Sequence, residues 1–140
     1  FVKQLKAGEC DSPRRLPRFD PNDIPALLEY ADDFQEINCF PINNLSSYIP
    51  PRYLLGECLL WTIESVKINE GKDDWHCPSW VPMLLKEEYA NDPESGLLDN
   101  LELLEVYNLY YDWWTENSQD KEFDEFKDID VLEGSGYFWR

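Results

Sequence analysis

Apolar residues recur along this chain mainly at intervals of three and four, the spacing that puts them on one face of an α-helix. Residues 1–7 read as the end of a helix, with Val2 and Leu5 sharing a face and Gly8 as its stop. Glycine reaches the left-handed conformation that closes many helices. A second helix is predicted over about 23–32, with Asp20 or Asp23 accepting first-turn amides and Ile24, Leu27, Leu28 and Ala31 as its apolar face. Pro25 fits because early helical N–H groups lack an intrahelical acceptor in any case. A third helix is predicted over about 53–69. Leu55, Cys58, Leu59, Thr62 and Val66 form its stripe, Leu54 and Trp61 widen it, and Glu57 and Glu64 lie on an exposed side. A short fourth helix, about 81–89, has Ser79 as its candidate cap.

The fifth and longest helix covers about 97–117 and carries two apolar stripes. Leu97, Leu101 and Leu104 make one; Leu103, Val106, Tyr107, Tyr110, Trp113 and Trp114 make the other. Glu102, Glu105, Asp112 and Glu116 fall on the remaining face. Such width predicts burial on more than one side. Residues 11–18, 38–51 and 70–79 break the periodicity, and their prolines, asparagines and serines are turn chemistry. After Lys121 the chain is acidic, with Phe123, Phe126, Ile129, Val131 and Leu132 as apolar anchors. Its end, Tyr137-Phe138-Trp139, reads as a short strand or an extended segment laid on the core.

A weak internal echo links Ile24-Pro25-Ala26-Leu27-Leu28 with Val81-Pro82-Met83-Leu84-Leu85, 57 residues later. Each copy would open with a short helix, pass through a loop and end in a long aromatic helix. Two such hairpins bury one shared core when stacked. The expected fold is therefore all-α, as one helical domain over residues 1–140. It would consist of two stacked helical hairpins plus an N-terminal helix, a HEAT-like short solenoid or irregular bundle, with an extended C-terminal tail.

A chain of 140 residues is the size of one domain and buries enough surface to hold a core without metal or bridges. Its 29 acidic and 12 basic residues give a net charge of −17. That charge repels phosphate and anionic lipid, which disfavours nucleic acid and membrane surfaces as partners. It is also uneven: residues 87–133 hold 16 acidic and 2 basic side chains. The excess thus lies on the last helix and the segment after it, where the aromatics are densest. No run of about 18 apolar residues is present to span a membrane. Cys10, Cys39, Cys58 and Cys77 stand singly and read as four thiols, mostly buried; pairing all four would allow three connectivities. The first residue is Phe1, not methionine, which suggests that an upstream segment, such as an export signal, was removed.

Leu16-Pro17-Arg18-Phe19, Asp23 to Tyr30, Phe40-Pro41-Ile42-Asn43-Asn44-Leu45-Ser46-Ser47 and Leu55 to Glu64 together resemble a family of small uncharacterised exported proteins of Bacteroides-like gut bacteria, a domain of unknown function. The resemblance covers residues 1–85. The family pattern is Phe-Pro-x-Asn-Pro-x-Ser-Ser; Asn44 replaces its second proline here, which bears on the shape of that loop. The resemblance implies an N-terminal export or lipoprotein signal and an α-helical domain. It supplies no catalytic residue.

Chemistry-bearing motifs are sparse. His76, the single histidine, lies beside Cys77, Asp73 and Asp74, without the ligand spacing of a zinc site. A serine triad would have to recruit His76, and no serine is placed for it. Glu57 and Glu64, near Trp61, could serve a glycosidic bond, but a solvated helix face gives the same pattern. The acidic run 120–133 lacks the central glycine of an EF-hand. No catalytic residue, metal ligand or cofactor is therefore assigned. The candidate binding residues are Tyr107, Tyr110, Tyr111, Trp113 and Trp114, with Glu102, Glu105 and Asp112. Five aromatics on one helix exceed what one side of a small core can take. Trp and Tyr anchor protein interfaces, and a carboxylate field steers cationic partners. Arg14, Arg15 and Arg18 cluster in the first loop, far in sequence from the acidic half.

These features lead to an expected function as a non-enzymatic exported binding module, in the periplasm or anchored at the outer membrane. It would present an acidic, aromatic surface to a protein partner with a cationic surface. No nucleic acid is expected, and membrane association only through a removed N-terminal lipid anchor. The alternatives are an acidic inhibitor or immunity-type protein, and a carbohydrate-binding or glycosidase-like site.

Overall fold

Helix α3 (Leu55–Asn69) is buried on nearly every side, with thirteen of its fifteen residues buried. Its apolar side chains fill the core, its buried polar ones are hydrogen-bonded, and the other described elements are arranged around it. The computed structural model describes residues 1–9, 16–41, 50–74 and 76–140.

Helix α1 (Val2–Lys6) places Leu5 in the core. It ends as its sequence predicts, with Gly8 at φ 68° and the Gly8 and Glu9 amides donating to Leu5 and Gln4 carbonyls. A 3-10 turn, Pro21–Asp23, is closed by Asp20 and Asp23 side chains that accept each other's segment amides. It runs into helix α2 (Ile24–Leu28), shorter than the predicted element, whose Ile24, Leu27 and Leu28 are buried. Helix α2 packs against α3, and the turn that follows α2 lies against Gly56. A Cβ on Gly56 would lie 2.3 Å from the Ala31 carbonyl, so the close approach requires glycine at this position.

Two small antiparallel sheets overturn the all-α expectation. Strand β1 (Glu36–Ile37) pairs with β2 (Tyr53–Leu54), with Glu36 opposite Leu54. Tyr53 and Leu54 therefore belong to a strand that leads into α3, not to the helix itself. Strand β3 (Leu84–Lys86) pairs with β4 (Tyr137–Trp139), with Leu85 opposite Phe138. The chain end is thus a strand, one of its two predicted forms.

Strand β3 and the 3-10 turn Glu87–Tyr89 occupy the region predicted as the fourth helix. Val81, Pro82, Met83, Leu84 and Leu85 are all buried, and a helix would have turned some of them to solvent. An extended segment buried on both faces accommodates the run. Ser79 does not cap a helix there. Its hydroxyl accepts from Trp61 Nε1 (2.8 Å) and donates to the Val81 carbonyl (2.8 Å). Without that helix the second predicted hairpin does not form, and among the described residues the HEAT-like stack is replaced by a mixed α/β arrangement.

Helix α4 (Asn100–Asn117) starts behind Asp99, whose carboxylate accepts from the Leu101 and Glu102 amides while Glu102 accepts from the Asp99 amide. This reciprocal box fixes the start three residues later than predicted. Beyond α4, a 3-10 turn Phe123–Glu125 leads to Phe126 and Leu132, which are both buried in the main core. Cys39 is disulfide-bonded, which corrects the expectation of four thiols; Cys58 and Cys77 keep theirs. Arg14, Arg15 and most of the Phe40–Ser47 motif lie outside the described residues.

Candidate functional site

Helix α4 divides lengthwise. Leu103, Val106, Tyr110, Trp113 and Asn117 face α3 and are buried. On the opposite side Leu101 is 74% exposed, Leu104 41% and Tyr111 47%. Tyr107, half-buried, lies at the edge of this face against the main core, its ring centroid 6.0 Å from that of Tyr111. Residues three and four apart are neighbours on a helix, so Leu101, Leu104, Tyr107 and Tyr111 form one apolar strip. The two predicted stripes are regrouped: Leu97 precedes the helix and packs on Val81, Met83 and Leu85, Leu101 and Leu104 are uncovered, and Tyr107, expected with the second stripe, borders them. Glu105, Asp112 and Glu116 run along the exposed face beside the strip. The helix carries four carboxylates and no basic side chain.

The predicted binding residues fall into three groups. Tyr107, Tyr111 and Asp112 share the outer face. Tyr110 and Trp113 lie inside. The Tyr110 hydroxyl donates to Glu64 Oε1 (2.6 Å) and accepts from Trp139 Nε1 (2.9 Å); burial, reinforced by Glu64, holds its pKa well above the usual phenol value. Trp113 Nε1 donates to the Phe126 carbonyl (3.3 Å), and half-buried Trp114 packs on Phe123 and Phe126. Glu102 and Glu105 form the third group and brace the structure. Glu102 pairs with Lys86 Nζ at 2.8 Å. Glu105 accepts from the Tyr137 hydroxyl (2.8 Å); burial first, then this carboxylate, pushes the Tyr137 pKa up to about 12.

Sequence reasoning placed Leu101 and Leu104 in a second buried interface. One signal ran against it: the stripe gives out at Asn108, Asp112 and Thr115, where a covered face would have stayed apolar. The acidic flank is costly for the helix, since Glu116 sits at the C-terminal end, where the backbone dipole disfavours negative charge by about 0.3–1 kcal/mol.

Other candidate chemistry resolves differently. Glu57, predicted on an exposed side, is buried and accepts the Leu84 amide (2.6 Å). Leu84 pairs with Trp139 on one edge of β3, and Glu57 takes the place of a third strand on the other. Burial drives its pKa up to about 7 against the bond from Leu84 and the nearby Arg52. Cys58 is buried beside it, and burial pushes its thiol pKa well up, which makes it a poor nucleophile. The His76 loop is held by Asn69, which donates to the His76 carbonyl and accepts its amide. Trp80, which follows that loop, is 72% exposed, and Trp75 lies outside the described residues. Among the described residues no three His, Cys, Asp or Glu side chains group as a metal site, and no helix is long and apolar enough to cross a membrane.

A family model described as a domain of unknown function (DUF4943) matches residues 1–140. No curated protein and no solved structure matches the chain.

Proposed function

The chain belongs to the family of that domain of unknown function, and we propose that it is a non-enzymatic exported binding module whose α4 outer face receives a basic protein. The observation that carries this reading is the uncovered strip on α4. Leu101, Leu104 and Tyr111 are exposed side by side, and Glu105, Asp112 and Glu116 flank them on a helix without a cation. An apolar centre with a charged rim is the usual anatomy of a protein interface. The rim selects a partner that brings lysine or arginine around an apolar patch. The disulfide at Cys39 supports export, because disulfides persist in oxidising compartments. A place in the periplasm or at the outer membrane of Bacteroides-like bacteria, held by an N-terminal lipid, is the finer part of the proposal.

The test is capture from the envelope fraction of the source organism with wild type and Leu101→Asp, at low and high salt. Wild type is expected to retain a basic protein at low salt, with recovery reduced at high salt and lost in the variant. Equal recovery by both chains, or capture of acidic proteins only, would overturn the reading.

A further inference from the structure

A cleft of ≈ 260 Å³ lies between the C-terminal half of α3, the segment after the 3-10 turn Phe123–Glu125 and strand β4. It shares no lining residue with the outer strip of α4. We propose that this cleft binds a neutral saccharide, stacked on Trp139 and hydrogen-bonded by Asp128 and Asp130.

The floor of the cleft is already assembled. Trp139 Nε1 donates to the Tyr110 hydroxyl (2.9 Å), and that hydroxyl donates to Glu64 Oε1 (2.6 Å). The same oxygen accepts from Lys67 Nζ (2.9 Å), which also donates to the Ile129 carbonyl (2.9 Å) and lies 5.1 Å from the Trp113 ring centroid. These donors are engaged within the protein, so the indole is held in one orientation. Rigid, preorganised groups bind with less ordering cost.

What lines the open side is an indole, exposed aliphatic carbon at Ile129, and carboxylates. Asp130 uses Oδ1 for the Leu132 amide (3.0 Å), and Asp128 is exposed at the rim. Carboxylates accept from hydroxyls, and an indole face packs on the apolar C–H face of a sugar ring. Charge sets the ligand class. Glu64, Asp128 and Asp130 oppose an anion, while Lys67 and Lys127 in the same wall oppose a cation. Both ammonium groups are paired, Lys67 with Glu64 and Lys127 with Asp124, so the wall offers an anion no free cation, and Asp128 and Asp130 are left as hydrogen-bond acceptors. A neutral polyhydroxylated ring satisfies the acceptors without bringing charge.

The experiment is an NMR titration of the full chain with glucose, galactose, mannose and their trisaccharides, with glucosamine and glucuronate as charged probes. Saturable shifts are expected at the Trp139 indole and around Asp128–Asp130 with at least one neutral sugar, insensitive to salt. Asp128→Asn should weaken binding about tenfold, and Trp139→Ala should abolish it. If Trp139→Ala loses its fold, Asp128→Asn decides alone, since that side chain is at the surface. No saturable shift with any neutral sugar, a tighter response to a charged probe, or unchanged affinity in Asp128→Asn would overturn the proposal.

Discussion

The inner and outer faces of α4 hold the same kinds of residue and meet opposite fates. Inside, Leu103, Val106, Tyr110 and Trp113 are buried, and the polar atoms of Tyr110 and Trp113 each find a partner, as buried aromatics require. Outside, Leu101, Leu104 and Tyr111 are exposed, and half-buried Tyr107 links Tyr111 to the edge of the core. The inner face explains why the helix folds where it does. The outer face contributes little to that folding, and an acidic flank at the C-terminal end opposes it. A strip that stability does not need is the place to look for a partner.

Substitutions on the two sides should therefore differ in kind, and the largest effect is expected at the inner face. Trp113→Ala removes a ring packed on Tyr110, Phe123 and Phe126 and should cost about 3–5 kcal/mol, measured by denaturant unfolding. A loss below about 1 kcal/mol would mean that the inner face is not core.

Next comes the buried carboxyl of Glu57, on α3. Its pKa rises from 4.5 unfolded to about 7 folded, so the folded state holds its proton more tightly. The stabilisation is complete below about pH 4.5 and is lost as pH rises to about 7. Glu57→Gln lacks this titration, so its advantage over wild type should grow by about 3 kcal/mol between about pH 4 and about pH 8. A difference between the two chains that stays flat with pH would exclude a buried, titrating Glu57.

Tyr110→Phe is a smaller perturbation. It removes the hydroxyl between Glu64 and Trp139 and should cost about 1–3 kcal/mol by leaving the indole N–H without its acceptor. Smallest of all, Leu101→Ser and Tyr111→Ala should each leave stability within about 0.5 kcal/mol. A melting temperature that drops as far as in Trp113→Ala would show the two faces to be equivalent.

The contrast also marks how far the sequence carries. Helix α3, helix α4 and the glycine stop of α1 follow from spacing and Gly8 alone. The segments Ile24–Leu28 and Val81–Leu85 mark where it stops. Both read hydrophobic-proline-small-Leu-Leu or close to it, yet the first is helix α2 and the second leads into strand β3. The difference lies outside each segment. Asp20 and Asp23 close the turn before α2, whereas the hydroxyl of Ser79 is committed to Trp61 and Val81. The partners that hold β3 extended, Tyr137–Trp139 and the Glu57 carboxylate, come from residues far away in sequence. No local pattern announces either one. The same holds for the candidate site: the acidic, aromatic helix was legible, but which of its faces is covered depends on α3 and on Phe126, brought in by the tertiary fold.

The central claim is that the outer face of α4 serves binding and not folding. It is tested most directly by titrating the captured basic protein into wild type and into the Leu101→Asp/Tyr111→Ala double variant, with melting temperatures taken on the same samples. The account predicts melting temperatures that agree closely and an affinity at least about a hundredfold weaker in the variant, since each interface anchor contributes about 2 kcal/mol or more. Equal affinity in the two chains, or a variant that binds poorly only because it has unfolded, would contradict it.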